Sequence, residues 1–268
     1  MGLSIAFVIA ILVEIALPVF LVIFMVRKTR ISWMVIVIGV LIYMIVQIIL
    51  TPILGWLAGI IENNQVDTAG EWKPVLNGAV LGIVVGIITE GTRFGAFKFV
   101  KQLERKPSHA VGIGLGYGAS ETIILVGLPI AISFINMVVY KNASVGDASL
   151  PEGLVNQVKT LWQLPWHTPL IGAFERVTAL ITHVTLSVMI LQVFIKGKLK
   201  FLFIAMAWHT AIESIPVIMN GYGVQTWAIE LVLLGFSTLN VYLLKRFGIF
   251  DKESYHLVHE IGKIEAGG

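Results

Sequence analysis

Seven long apolar runs, parted by short polar connectors, dominate the chain. The first covers residues 3–26 and ends on Arg27, Lys28 and Arg30. The second, 31–61, is interrupted at Thr51-Pro52, where proline removes a backbone donor and is expected to kink a helix. A polar loop at 62–74 carries Glu62, Asp67, Glu71 and Lys73. The third run, 75–100, holds Gly78, Gly82 and Gly86 at four-residue spacing, a stripe that lets a neighbouring helix approach closely. A basic connector, Lys98 to Lys106, leads into the fourth run, 108–140, where Gly112, Gly114, Gly116 and Gly118 precede Glu121. The stretch 141–164 is the longest non-spanning segment, and Leu161, Trp162 and Trp166 near its end predict an interfacial anchor. Runs five (168–195), six (201–219) and seven (224–244) complete the pattern. At about 20 residues per crossing of a hydrocarbon core about 30 Å thick, this predicts an all-α polytopic transmembrane bundle of about seven spans. It reads as one membrane domain over 1–247, with a motif-bearing core at 75–220 and a charged tail at 248–268.

Composition agrees with the pattern and narrows the chemistry. The chain of 268 residues is 57% hydrophobic and only 13% charged, with a mean hydropathy of +0.88, against roughly 25% charge in an ordinary soluble protein. The absence of cysteine excludes disulfides, thiolate metal sites and a cysteine nucleophile. A pI near 9.1 would suggest nucleic acid in a soluble chain, but in a membrane chain basic residues report orientation, and no nucleic-acid partner is expected. No cleavable signal peptide is expected, because no basic residue precedes the first apolar run. Connectors after runs one, three, five and seven hold twelve Lys and Arg, whereas the opposite connectors hold Lys73, Lys141 and Lys159. By the positive-inside rule the N-terminus lies outside and the C-terminus in the cytoplasm of a multi-pass cell-membrane protein.

Charges inside the spans point to chemistry. An ionisable residue at mid-span costs about 2.5–3.5 kcal/mol on insertion scales, so each one retained needs a reason. Here Glu14, Glu90, Arg93, Glu121, Glu175, Arg176, His183, His209, Glu213 and Glu230 all fall within apolar runs. Glu90 with Arg93 and His209 with Glu213 are three and four residues apart, so each pair shares a helix face, while Glu175, Ala179 and His183 descend one stripe. Glu121, His183 and His209 fall near mid-span, Glu90 with Arg93 in the cytoplasmic half and Glu175 with Arg176 in the outer half, so four consecutive helices each offer inward polar groups, which predicts a polar cavity. Glutamates and histidines around buried water are sufficient for hydrolysis: a carboxylate takes the water's proton and a histidine stabilises the oxyanion. Glu90, Glu121, His183 and His209 are the catalytic candidates, with Arg93, Glu175, Arg176 and Glu213 supporting. Glu14 and Glu230 read as packing or interface carboxyls, and Thr182 as back-bonded within its helix. The alternating glycines before Glu121 do not suit one helix face and predict a tightly packed or locally irregular helix. They are no dinucleotide fingerprint, since no strand precedes them.

Taken in order, E-G-T-R (Glu90 to Arg93), G-I-G-L-G-Y-G-A-S-E (Gly112 to Glu121), E-R with a later T-H (Glu175, Arg176, His183) and W-H-T-A-I-E (Trp208 to Glu213) resemble the YhfC family of membrane peptidases. That family is similar to the CAAX-prenyl-protease and bacteriocin-processing clan, to the PrsW proteases and to the Aph subunit of gamma-secretase. The resemblance covers about residues 75–220 and implies a glutamate-dependent intramembrane protease acting on a membrane-embedded peptide or protein, lipid-modified substrates included. It carries the clan's motifs onto Glu90 with Arg93, Glu121, His183, and His209 with Glu213. The chain departs from the CAAX branch in having Glu90-Gly91 where that branch pairs glutamates, and Glu213 where it has Asn or Asp. Which glutamate activates water therefore stays open. No cofactor is expected under this reading. Two alternatives stand beside it: a zinc metalloprotease, with His183, His209 and a carboxylate as ligands drawn from separate helices, since no H-E-x-x-H occurs, and a non-catalytic scaffold like the Aph subunit.

Overall fold

Eight helices carry the chain in the computed structural model, which describes residues 2–29, 31–62, 70–142 and 150–249. Arg30, Asp67 and the predicted tail from residue 250 onward lie outside the described residues. Helix α1 spans Gly2–Thr29 with a π-helical turn at Leu12–Ala16. The next two are α2 (Trp33–Glu62) and α3 (Lys73–Phe99). Helix α4 covers Pro107–Val139 with a second π-helical turn at Thr122–Gly127. Then come α5 (Glu152–Trp162), α6 (Thr168–Lys196), α7 (Lys200–Gly221) and α8 (Thr226–Arg246). All but α5 are long and apolar enough to cross a membrane, seven candidate spans among the described residues. The protein is an all-helical, multi-pass membrane protein.

Local chemistry sets the ends of these helices. Prolines occupy the first turns of α3, α4 and α6, where the missing N–H has no helical acceptor to lose. Helix α6 stops at Gly197, whose φ of +63° is the left-handed conformation that glycine adopts without a Cβ penalty. At Thr51-Pro52 the helix is not broken: α2 continues through Pro52, with both residues exposed. The 141–164 segment contains the short helix α5, and Trp162 Nε1 donates to the Met137 carbonyl at 3.0 Å, tying α5 to the end of α4.

The bundle is organised around α6. Of its most apolar window 72% is buried, against at most 39% in any other span, which makes α6 the most enclosed span among the described residues. Large apolar side chains such as Phe20, Trp56, Ile132 and Phe203 stand more than half exposed on the outside, a surface suited to lipid rather than water.

The two glycine patterns explain how the helices meet. Gly78, Gly82 and Gly86 lie against α7, where an added Cβ would come within 2.5 Å of Ile218, 2.1 Å of Ser214 and 2.6 Å of Thr210 respectively. In α4 the alternation of four glycines serves two neighbours at once. Successive helical residues turn by 100°, so a step of two turns by 200°, nearly to the opposite face. Gly112 and Gly116 accordingly face α2, meeting Val35 and the Ile36 carbonyl, while Gly114 and Gly118 face α6, meeting Val184 and His183. The helix there is tightly packed and regular; the irregularity falls immediately after Glu121, in the π-helical turn.

Candidate active site

The glycine stripe of α3 ends in a candidate site residue. Gly78, Gly82, Gly86 and Glu90 follow one another at four-residue steps, so the face that lets α3 close on α7 delivers the Glu90 carboxylate to His209. Glu90 Oε1 lies 2.8 Å from His209 Nδ1 and also accepts from Arg93 Nη1 on the same helix. Arg93 then reaches the next helix but two: its Nη2 donates to His183 Nδ1 at 3.3 Å, and its guanidinium lies 5.0 Å from the centre of the Tyr117 ring. Tyr117 in turn packs on His183 at 4.5 Å between ring centres.

A second carboxylate–histidine pair follows. His183 Nε2 lies 2.9 Å from Glu121 Oε2, and Arg176 bridges Glu121 Oε1 at 3.4 Å and Glu175. On the far side, His209 Nε2 faces Glu213 Oε1 at 3.7 Å, too long for a hydrogen bond. The eight residues expected from the sequence therefore form one chain of neighbours: Glu213, His209, Glu90, Arg93, His183, Glu121, Arg176, Glu175. Glu14 is outside it, wholly buried in the π-helical turn of α1 with neither carboxylate oxygen hydrogen-bonded. His109, assigned no chemistry, sits at the start of α4 accepting the Glu104 N–H at 3.0 Å. The salt-bridged Lys106, at 2.8 Å, holds the Glu104 carboxyl below its ordinary range.

The arginine contact fixes protons. A guanidinium only donates, so His183 Nδ1 is the acceptor and a neutral His183 carries its hydrogen on Nε2, directed at Glu121. Glu90, already receiving Arg93, receives the Nδ1–H of His209, which leaves Nε2 of that ring without a hydrogen-bond partner.

The two pairs differ in access. A cavity of about 290 Å³ lies between α4, α6, α7 and α8, and Glu121, Glu175, Arg176, His183, His209 and Glu213 all line it. Apolar Leu125, Ile212, Leu233 and Phe236 complete its wall. That volume is at the lower limit of ligand clefts, enough for a peptide group and one side chain. Glu121 is 17% exposed, whereas Glu90 and Arg93 are 0% exposed and are not part of the lining. Sequence reasoning missed Tyr117 and Asn240. Thr182 does back-bond to the Thr178 carbonyl at 3.0 Å, but it also accepts from Asn240 at 2.8 Å.

A seven-span helical membrane protein with linked carboxylates, histidines and arginines around an intramembrane cavity is the architecture of a membrane-embedded hydrolase. The family described as "YhfC intramembrane metalloprotease" matches residues 13–233, and the chain belongs to that family. This places it among intramembrane peptidases. A relative, the "Uncharacterized membrane protein YhfC" of Bacillus subtilis (strain 168), is 24% identical over 236 residues, covering 84% of this chain and 89% of its own. No solved structure matches.

The family description names a metal, and the donor set can be tested against it. Zinc needs three or four converging nitrogen and oxygen donors at about 2.0–2.2 Å, with neutral imidazole offering a lone pair. Among the described residues no three His, Asp or Glu side chains converge in this way. Arg93 leaves His183 pointing a hydrogen, not a lone pair, toward Glu121, and a second guanidinium occupies the other oxygen of that carboxylate. As arranged, these residues do not fit a zinc ion.

Proposed function

We propose that the chain is a glutamic-type intramembrane endopeptidase in which Glu121 is the general base and His209 serves the carbonyl oxygen. The observation that carries this reading is that these two groups face one cavity from different helices while Glu90 is sealed behind them. The scissile carbonyl would sit with its oxygen toward His209 Nε2, the one imidazole nitrogen of the pair without a bonded partner. Water on the cavity side of Glu121 gives a proton to the carboxylate as its oxygen attacks the carbonyl carbon. The tetrahedral oxyanion accepts a hydrogen bond or proton from Nε2–H of His209 in its imidazolium form, the form that can donate there while Nδ1–H stays on Glu90. Collapse breaks the C–N bond, and Glu121 returns its proton to the leaving amine. His183 and Arg176 hold the Glu121 carboxylate; Glu90 and Arg93 set the His209 and His183 rings. Substrates under this reading are membrane-embedded peptides or proteins, lipid-modified ones included.

The test is cleavage of membrane-spanning and prenylated peptides by the purified protein in nanodiscs. Wild-type turnover that survives chelation and is lost in Glu121→Gln supports the reading. The second reading, zinc catalysis, is favoured by the family's description; it would require His183 to exchange its Arg93 contact and would show as about one zinc per chain and loss of activity with chelator. A scaffold would cleave nothing and copurify with a partner. The orientation proposed from the charge asymmetry places a reporter fused after Gly268 in the cytoplasm; a signal from outside would overturn it.

A further inference from the structure

We propose that Asn240 is the positioning residue that sets the two catalytic-site histidines against each other, an inference that rests on the hydrolytic reading above. Asn240 lies in α8, beyond the residues the family match covers, and is wholly buried. Its side-chain amide is the only group bridging α6 and α7 at this level by hydrogen bonds at both ends among the described residues. Nδ2 donates to Thr182 Oγ1 at 2.8 Å, and Oδ1 accepts from Trp208 Nε1 at 2.9 Å. Thr182 and Trp208 are the residues immediately before His183 and His209.

The chemistry leaves one arrangement. An indole N–H only donates, so it selects the amide oxygen and turns the amide nitrogen toward Thr182. The Thr182 hydroxyl spends its hydrogen on the Thr178 carbonyl and meets Asn240 with a lone pair. Every polar atom of the bridge is matched, and one amide, through the Thr182 hydroxyl and the Trp208 indole, ties together the two helix segments next to the histidines. Those rings stand 5.8 Å apart and nearly perpendicular, at 78°. Glu90 and Arg93 contact the Nδ1 atoms of the rings from α3, whereas Asn240 ties the preceding residues from α8. Positioning of this kind matters because a displacement of about 1 Å at reacting groups costs on the order of a hundredfold in rate.

The test compares Asn240→Leu, which keeps volume and removes both bonds, in wild type and in a Thr182→Val/Trp208→Phe background that lacks the partners. In wild type, kcat should fall about 10- to 100-fold with KM within about threefold. In the double-variant background the same substitution should add less than about threefold, because its partners are already gone. An equal loss in both backgrounds, or a kcat within about threefold of wild type, overturns the proposal. If Asn240→Leu does not fold, Asn240→Ser, which leaves both partners unbridged but is smaller, takes its place under the same criteria. Nitrogen-15 spectra of histidine-labelled protein supply a readout independent of turnover: the substitution should shift the ring signals of His183 and His209 and leave the others. Unmoved signals overturn the proposal even if no peptide is cleaved, and a wild type that cleaves nothing while these signals move counts against the hydrolytic reading alone.

Discussion

Glu90 with His209 and Glu121 with His183 are chemically alike: each is a carboxylate hydrogen-bonded to an imidazole inside a membrane-spanning bundle. Their surroundings are not alike. Glu90 is closed in by the glycine-tight contact of α3 on α7 and shares its Oε1 between Arg93 and His209. Glu121 closes the regular part of α4, just before the π-helical turn, and lines the cavity. Packing has thus separated two similar pairs into one whose carboxylate is sealed and one whose carboxylate lines the cavity. A carboxylate can act as a base only where water and a peptide can reach it, so access, rather than identity, distinguishes them.

The largest expected effect strikes the open pair. Glu121→Gln keeps one oxygen, for either His183 or Arg176, turns its NH2 toward the other, and cannot take up a proton. Turnover should fall by about 10²–10⁴-fold, the usual scale of a lost general base, with thermal unfolding in detergent little changed. Glu90→Gln should cost turnover less. A Glu90→Gln protein that is fully folded and as inactive as Glu121→Gln would erase the distinction drawn between the pairs.

Stability should show the reverse order. Arg93 contacts Glu90 with one nitrogen and His183 with another, at 0% exposure, so Arg93→Ala strands two buried groups. Breaking a buried ion pair from one side costs about 3–5 kcal/mol, which unfolding in denaturing detergent would register. Arg176, with 14% of its side chain exposed beside the cavity, should cost clearly less on replacement. Equal losses would mean that the cavity does not relieve Arg176.

Much of this was legible in the sequence, for identifiable reasons. Intramembrane charges are expensive enough that few are retained, so the eight that form the network stood out before any coordinates. The α3 glycine stripe announced its own contact because four-residue spacing is one helix face. What stayed hidden was the relation between helices. Nothing in the spacing says that Arg93 crosses to His183, ninety residues away, nor that Glu90 is sealed and Glu121 open. The alternating glycines of α4 were ambiguous because a step of two serves two opposite neighbours. Asn240 gave no signal, since one amide in an apolar helix has no motif around it.

The glycine contacts give a sharper test of how packing serves the open pair. A Cβ on Gly114 would lie 2.4 Å from Val184 Cα and 2.7 Å from the His183 carbonyl, both backbone atoms that cannot swing aside. Gly114→Ala should therefore push α6 from α4, cost about 1–3 kcal/mol and loosen the His183–Glu121 contact. Gly95, with nothing within 4 Å of its added Cβ, provides the control: Gly95→Ala should be neutral or stabilise by up to about 1 kcal/mol. Unfolding curves for the two proteins decide it, and equal stability would mean that the α4–α6 approach is slack.

The smallest effect belongs to the rim of the cavity. Glu175 is 41% exposed and its partner Arg176 also contacts Glu121, so the guanidinium keeps one carboxylate when the other is neutralised. A pair this open is worth about 0–1 kcal/mol after solvent screening. Glu175→Gln should then lower kcat/KM by no more than about fivefold, and by less at high salt, because screening has already removed most of the interaction. The direction of any change still informs. If Arg176, released from Glu175, moves closer to Glu121, it should hold that carboxylate in its charged form more firmly and weaken it as a base, so the loss would appear in kcat. A loss confined to KM would instead assign Glu175 to substrate contact at the mouth of the cavity, and a loss comparable to that of Glu121→Gln would show that the catalytic carboxylate had been placed one helix too far from the rim.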